Sequence, residues 1–118
     1  MAERLGKYTI ILNSHPSVTG FAAVVGKTEG EGPLKDEFDF VFEDDTLGEA
    51  SFEKAESALQ KEAVTRALSK AGKTSDEVDF SLAGDLLNQC IGSSFGLRSL
   101  NMPFIGLYGA CSTMALSL

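Results

Sequence analysis

Cys111 carries the most reactive side chain in the sequence and sits in a suggestive place. It follows the apolar run Phe104-Ile105-Gly106-Leu107-Tyr108 and the pair Gly109-Ala110, and it precedes Ser112-Thr113-Met114-Ala115-Leu116. That order reads as a strand, a tight turn and the start of a helix. A thiol at a helix N-terminus faces the positive end of the helix dipole and backbone N–H groups without partners, and both favour the thiolate. Covalent catalysis also needs a base and an oxyanion site. His15 is the single histidine, and nothing local brings it to Cys111. The competing reading of Cys111 is a small buried thiol with a packing role.

A second cluster is Gly84-Asp85-Leu86-Leu87-Asn88-Gln89, where a strand candidate ends and a helix candidate begins. In open α/β sheets, ligands bind outside the carboxyl ends of the strands. Asp85 and Asn88 can therefore line a pocket whose other wall is the Cys111 turn. The plainer reading makes Asp85 a helix cap and leaves Asn88 and Gln89 as solvated residues of the first turn. If the two strands run parallel and adjacent, both turns fall at the same edge of the sheet.

Other candidates are weaker. Gly26, Gly30 and Gly32 are not followed by Gly-Lys-Ser/Thr, so residues 27–33 read as a loop with no helix opening there, and not as a phosphate cradle. Glu43-Asp44-Asp45 lacks the spacing of an EF-hand and reads as a solvated acidic turn. Cys90 lies in a predicted helix and reads as core. With two cysteines and one histidine, no metal spacing is present and structural zinc is disfavoured. The cysteines read as reduced thiols of a cytosolic compartment.

The elements that position these residues alternate. Tyr8-Thr9-Ile10-Ile11-Leu12 is a strand candidate that ends at Asn13-Ser14-His15-Pro16. A second apolar run covers residues 19–25. Phe38, Phe40 and Phe42 alternate with Asp39 and Val41, as in an extended segment. Residues 51–71 form the clearest helix: Phe52, Ala55, Leu59, Ala63, Val64, Ala67, Leu68 and Ala71 recur with a 3.6 period. Ser51 fits its N-cap and Gly72 its C-terminal stop, with the charged residues of 54–58 and 60–62 expected to face outward. Residues 78–84 read as a buried strand and residues 87–100 as a helix. Gly92 and Gly96, four apart, weaken that helix but permit a close backbone approach. Strands alternating with helices predict βαβ units and a mainly parallel sheet.

Composition narrows the function classes. The chain has 118 residues, the size of one small domain. It carries 10 Lys+Arg against 17 Asp+Glu, a net charge of −7, which argues against nucleic acid as a partner. Hydrophobic residues make up 43%, enough for a folded core and far from the disordered class. Trp is absent and Phe numbers 8, so Phe must supply the aromatic packing. No stretch approaches the roughly 20 apolar residues of a membrane span, and residues 1–7 lack the apolar core of a secretory signal.

Taken together, Glu31-Gly32-Pro33-Leu34, Gly84-Asp85-Leu86-Leu87-Asn88-Gln89 and Tyr108-Gly109-Ala110-Cys111-Ser112-Thr113 resemble the stage V sporulation protein AD (SpoVAD) family in residues, order and separation. The resemblance covers essentially the whole chain and corresponds to about the N-terminal third of a family member. It implies an α/β, thiolase-like α/β/α layered fold with a mainly parallel sheet, of which residues 1–118 supply part of the first thiolase half. The few turns left after Ser112 agree with that expectation, since an isolated short helix is marginal in water. Departures are Lys35-Asp36, where members often have Gly, and Leu116, where an acidic residue is common.

The resemblance further implies a thiolase fold turned to ligand binding. Family members bind pyridine-2,6-dicarboxylic acid (dipicolinic acid), alone or as calcium dipicolinate, and serve its uptake into the developing spore with the other SpoVA channel proteins. The implied location is peripheral to the forespore or spore inner membrane. Carried over by position, Cys111 matches the superfamily nucleophile, and Asp85, Asn88, Gln89 and Ser112 match motif positions that become pocket candidates with it. No cofactor or protein-bound metal is implied; calcium enters only within the chelate. Two further readings stand beside this one. Cys111 is the nucleophile of a thiolase or ketoacyl-synthase type acyltransferase, or the chain is a structural partner in a membrane-associated complex. Apolar faces left uncovered in such a fragment predict poor solubility or a homo-oligomer.

Overall fold

Ser51 and Gly72 bracket the longest element. A computed structural model describes residues 2–118, and in it helix α2 runs from Phe52 to Ala71. The Ser51 hydroxyl accepts from the Lys54 N–H, and Gly72 adopts the left-handed conformation (φ 65°) that closes the helix. The Lys73 N–H then bonds back to the Leu68 carbonyl at 2.9 Å, a Schellman ending. Both caps and the span agree with the periodic pattern.

In chain order the elements are strand β1 (Ala2–Leu5), β2 (Thr9–Leu12), β3 (Val24–Val25), helix α1 (Lys27–Gly30), β4 (Phe40–Val41), α2, β5 (Ser81–Ala83), α3 (Ile91–Leu97), β6 (Phe104–Gly106) and α4 (Thr113–Ser117). One-turn 3-10 segments precede β5, follow α3 and precede α4. The strands form three two-stranded ladders. β3 pairs parallel with β4, and β5 pairs parallel with β6, Ser81 opposite Phe104 and Ala83 opposite Gly106. This is an α/β chain whose crossover pairings are parallel, as the alternation of elements predicts.

Three expectations need correction, and one strand lies where none was assigned. The polar segment Ala2–Leu5 is a strand, paired antiparallel with β2 around a turn at Gly6 (φ 67°). The glycine-rich stretch after Gly26 does open a helix, the single turn α1, because the Asp45 carboxylate reaches across to accept from the Thr28 N–H (2.9 Å) and hydroxyl (2.6 Å). The helix expected over 87–100 begins only at Ile91, since Gln89 and Cys90 have left-handed backbones (φ 49° and 72°). The strand expected over 78–84 is shorter and only half-buried.

The core is small. Val24, Ala55 and Leu97 are its buried apolar side chains, at the seam where α2 meets β3 and α3. Phe40 and Phe42 pack edge to face at 4.9 Å, but Phe21, Phe52, Phe80 and Phe95 are more than half exposed. The expectation that phenylalanine supplies the aromatic packing therefore holds around β4 and at half-buried Phe104 of β6. Arg66 on α2 lies over the Phe40 ring at 4.3 Å, and Lys70 pairs with Asp39 at 2.8 Å. These contacts tie β4 to the C-terminal half of α2. No helix among the described residues is long and apolar enough to cross a membrane.

Candidate binding rim

The parallel β5–β6 pair fixes where the candidate residues go. Each strand ends in a turn that leads into a helix, so the Gly84 turn and the Gly109 turn leave the ladder at the same edge. The Leu107 N–H donates to the Ala83 carbonyl at 2.9 Å, extending the pairing past both strand ends. Gly84 is jammed against the neighbouring turn, where an added Cβ would collide with the Leu107 carbonyl and the Thr113 methyl group. The Cys90 thiol donates to the Leu107 carbonyl at 3.2 Å. The acidic-amide corner and the thiol corner therefore share one rim.

Asp85 points into the protein from this rim. It is 2% exposed, and its carboxylate accepts from the Ser93 N–H (2.9 Å), the Ser93 hydroxyl (3.0 Å), the Cys90 N–H (3.0 Å) and the Asn88 N–H (3.4 Å). Burial pushes its carboxyl up, but the hydrogen bonds from Ser93, Cys90 and Asn88 outweigh burial and hold it below its ordinary value. The capping role foreseen for Asp85 is realised in an extended form: it gathers the whole 85–93 turn. Left-handed backbones at Gln89 and Cys90 cost about 1–2 kcal/mol each, and charge-assisted hydrogen bonds of this kind offset that.

Asn88 and Gln89 are exposed on this turn. Across the rim, Cys111 is exposed and free of any disulfide, on the one-turn 3-10 segment Ala110–Ser112. The packing reading of Cys111 is thereby set aside. Ala110, just before it, is held at φ 46°, a strained position for a residue with a Cβ. The Ser112 hydroxyl donates to the Gly109 carbonyl at 2.6 Å, and the Gly109 N–H donates to the Thr113 hydroxyl at 3.2 Å. The small residues around Cys111 thus brace one another.

Glu56, Gln60 and Ser93 belong to the rim's support, and sequence reasoning missed all three. Glu56 and Gln60 sit one helical turn apart on α2, half-buried instead of facing outward as expected. The Glu56 carboxylate accepts from the Leu86 N–H (2.9 Å) and the Leu87 N–H (3.4 Å), while the Gln60 amide donates to the Gly84 carbonyl (3.2 Å). The available signal was their place on the helical wheel, flanking the apolar positions Ala55 and Leu59.

A cavity of about 440 Å³ adjoins the rim turn on the α2 side, walled by Phe52, Leu59, Leu86 and Leu87 with Glu56 and Gln60 at its polar edge. A wider groove of about 820 Å³ lies between α2 and α3 against Ile91 and Phe95. Neither is lined by Asp85, Asn88, Gln89, Cys111 or Ser112, so the shared rim is an open edge and these two cavities lie beside it. The Asp44 and Asp45 carboxylates are engaged by Thr46, Gly48 and Thr28. No group of three or more metal-ligating side chains is assembled among the described residues.

The family model described as stage V sporulation protein AD (SpoVAD) matches residues 6–118. The chain belongs to this family. Stage V sporulation protein AD of Bacillus subtilis (strain 168) is 38% identical over 108 residues, covering 92% of this chain and 32% of that protein. The chain thus spans about a third of the length of that curated relative. Membership in the SpoVAD family places it among sporulation proteins. An α/β architecture with parallel strand pairs fits the thiolase-like layering expected for SpoVAD.

Proposed function

We propose that this SpoVAD-family chain contributes to a site for dipicolinic acid, or its calcium chelate, and that the whole protein supports uptake of that compound into the developing spore. The observation that carries the proposal is the common rim of the β5 and β6 turns in a chain of this family. An unpaired Asp85 would repel a dianion, but here that carboxylate is buried and saturated. What faces solvent at the rim carries no carboxylate: the amides of Asn88 and Gln89, the Cys111 side chain and the Ser112 hydroxyl. Side-chain amides donate hydrogen bonds to carboxylate oxygens, and their carbonyl oxygens can coordinate calcium. Asn88, Gln89 and Ser112 are thus the ligand contacts, with the exposed Cys111 next to Ser112 on the second turn.

Titration calorimetry on the full chain tests this, with dipicolinate and calcium dipicolinate as ligands and benzene-1,3-dicarboxylate as a control lacking the ring nitrogen. Saturable binding that weakens in Asn88→Ala and Gln89→Ala is expected. Absence of saturable heat at millimolar ligand overturns the reading.

A second reading, acyl transfer through Cys111, is favoured by one observation: the thiol is exposed beside a strained Ala110. Mass spectrometry after incubation with an acyl-thioester is the test. An acyl adduct confined to Cys111, absent in Cys111→Ser, supports an enzyme, and an unmodified thiol supports binding alone. The third role, assembly with the other SpoVA proteins at the spore inner membrane, is compatible with either reading. Side chains such as Leu5, Tyr8, Ile10 and Ile105, each at least half exposed, suit a covered surface.

A further inference from the structure

Helix α2 grips the rim turn at both ends. Through Glu56 it accepts from two consecutive N–H groups, Leu86 and Leu87, and through Gln60 it donates to the carbonyl of Gly84. Glu56 forms no ion pair among the described residues, so both carboxylate oxygens serve the turn. From the other side Asp85 collects the N–H groups of Asn88, Cys90 and Ser93. The two carboxylates meet at Gly92: a Cβ there would lie 3.1 Å from Glu56 Oε2 and 3.4 Å from Asp85 Oδ2. Between these anchors, Gln89 and Cys90 are held in left-handed backbones that only surrounding constraint maintains.

We propose that Glu56 is the positioning residue of the rim: by holding Leu86 and Leu87 against α2 it fixes the start of the turn that exposes Asn88 and Gln89. A backbone segment rich in N–H groups is an anion-binding surface. Here Glu56 and Asp85 occupy that surface from inside, which keeps a ligand carboxylate from binding in the turn itself and leaves recognition to the Asn88 and Gln89 side chains. Its consequence for ligand affinity rests on the binding reading given above; its consequence for the turn does not.

The molecule supplies its own local reporter. Cys90 is half-buried and tethered to the turn, whereas Cys111 is exposed on the opposite corner. The experiment is iodoacetamide alkylation of the full chain, with the Cys90 rate divided by the Cys111 rate in each variant. Glu56→Gln keeps the side chain's size and one acceptor; Glu56→Ala keeps neither. The ratio is expected to rise in the order wild type, Glu56→Gln, Glu56→Ala, by about tenfold at the end of the series, the loss of charge-assisted hydrogen bonds from the closed turn. An unchanged ratio, or both thiols accelerating together with a fall in melting temperature, overturns the proposal. Should Glu56→Ala not fold, Gln60→Ala, which releases the Gly84 end, is read the same way. Calorimetry with calcium dipicolinate on the same proteins separates the two claims. If wild type binds, Glu56→Gln must bind more weakly, and equal affinity counts against positioning. If wild type does not bind, the ligand reading fails and the alkylation ratio alone decides the role of Glu56.

Discussion

The Ser93 N–H and hydroxyl both donate to Asp85 Oδ2, at 2.9 and 3.0 Å, in a pair where Ser93 is fully buried and Asp85 nearly so. This pair binds the first turn of α3 to the end of β5. A buried carboxylate with several donors cannot be removed without leaving those donors unsatisfied. Asp85→Ala is expected to destabilise the fold by about 2–4 kcal/mol, read from urea denaturation. Asp85→Ala as stable as wild type would show that the pair does not hold the turn.

The same carboxylate predicts an acid response. Its pKa is lowered in the folded state from the ordinary 3.8, so in acid the unfolded chain binds more protons than the folded one. Stability from this group is complete above about pH 4 and is lost as pH falls through the folded-state value. Half-buried Asp39 and exposed Asp44 and Glu77 shift the same way, through hydrogen bonds from Lys70, Thr46 and Lys73 respectively. Denaturation curves at descending pH should show wild type weakening below about pH 4 and Asp85→Asn weakening less. Parallel curves would remove Asp85 from the account.

Gly96 allows α2 and α3 to touch. A Cβ at this position would lie 2.5 Å from the Ser57 carbonyl oxygen, and the Ser57 hydroxyl donates to the Gly92 carbonyl at 2.7 Å. Gly96→Ala must push the helices apart, at a cost of about 1–3 kcal/mol. A thermal melt provides the measurement, and an unshifted midpoint would contradict the close approach.

The ends of α2 make a smaller claim. Ser51→Ala removes the acceptor for the Lys54 N–H and should cost about 1 kcal/mol. Gly72→Ala places a Cβ at φ 65° and should cost a similar amount, about 1 kcal/mol. Helical signal at 222 nm through a urea titration reads both.

Lys70 joins Asp39 and stands over Phe21 at 4.5 Å. The pair is partly exposed, so Lys70→Ala should cost no more than about 1 kcal/mol, and the loss should shrink in high salt. A salt-independent loss would assign the effect to packing of the lysine stem.

By itself the sequence determined α2 with both caps, the parallel order of β5 and β6, and the family, whose motifs stand at the two turns. These are local signals: a 3.6 period, a serine and a glycine at the proper ends, and apolar runs separated by helix-length segments. Tertiary structure alone decided the rest. Ala2–Leu5 looks polar and becomes a strand only because β2 is available to pair with it. The glycine-rich stretch becomes α1 only because Asp45 arrives from another segment to cap it. The start of α3 and the inward turn of Glu56 follow from hydrogen bonds between residues up to 31 apart in the chain. Periodicity records which face of an element avoids water; it does not record which distant N–H groups a carboxylate will satisfy. That choice is made when the elements pack and their polar groups lose water.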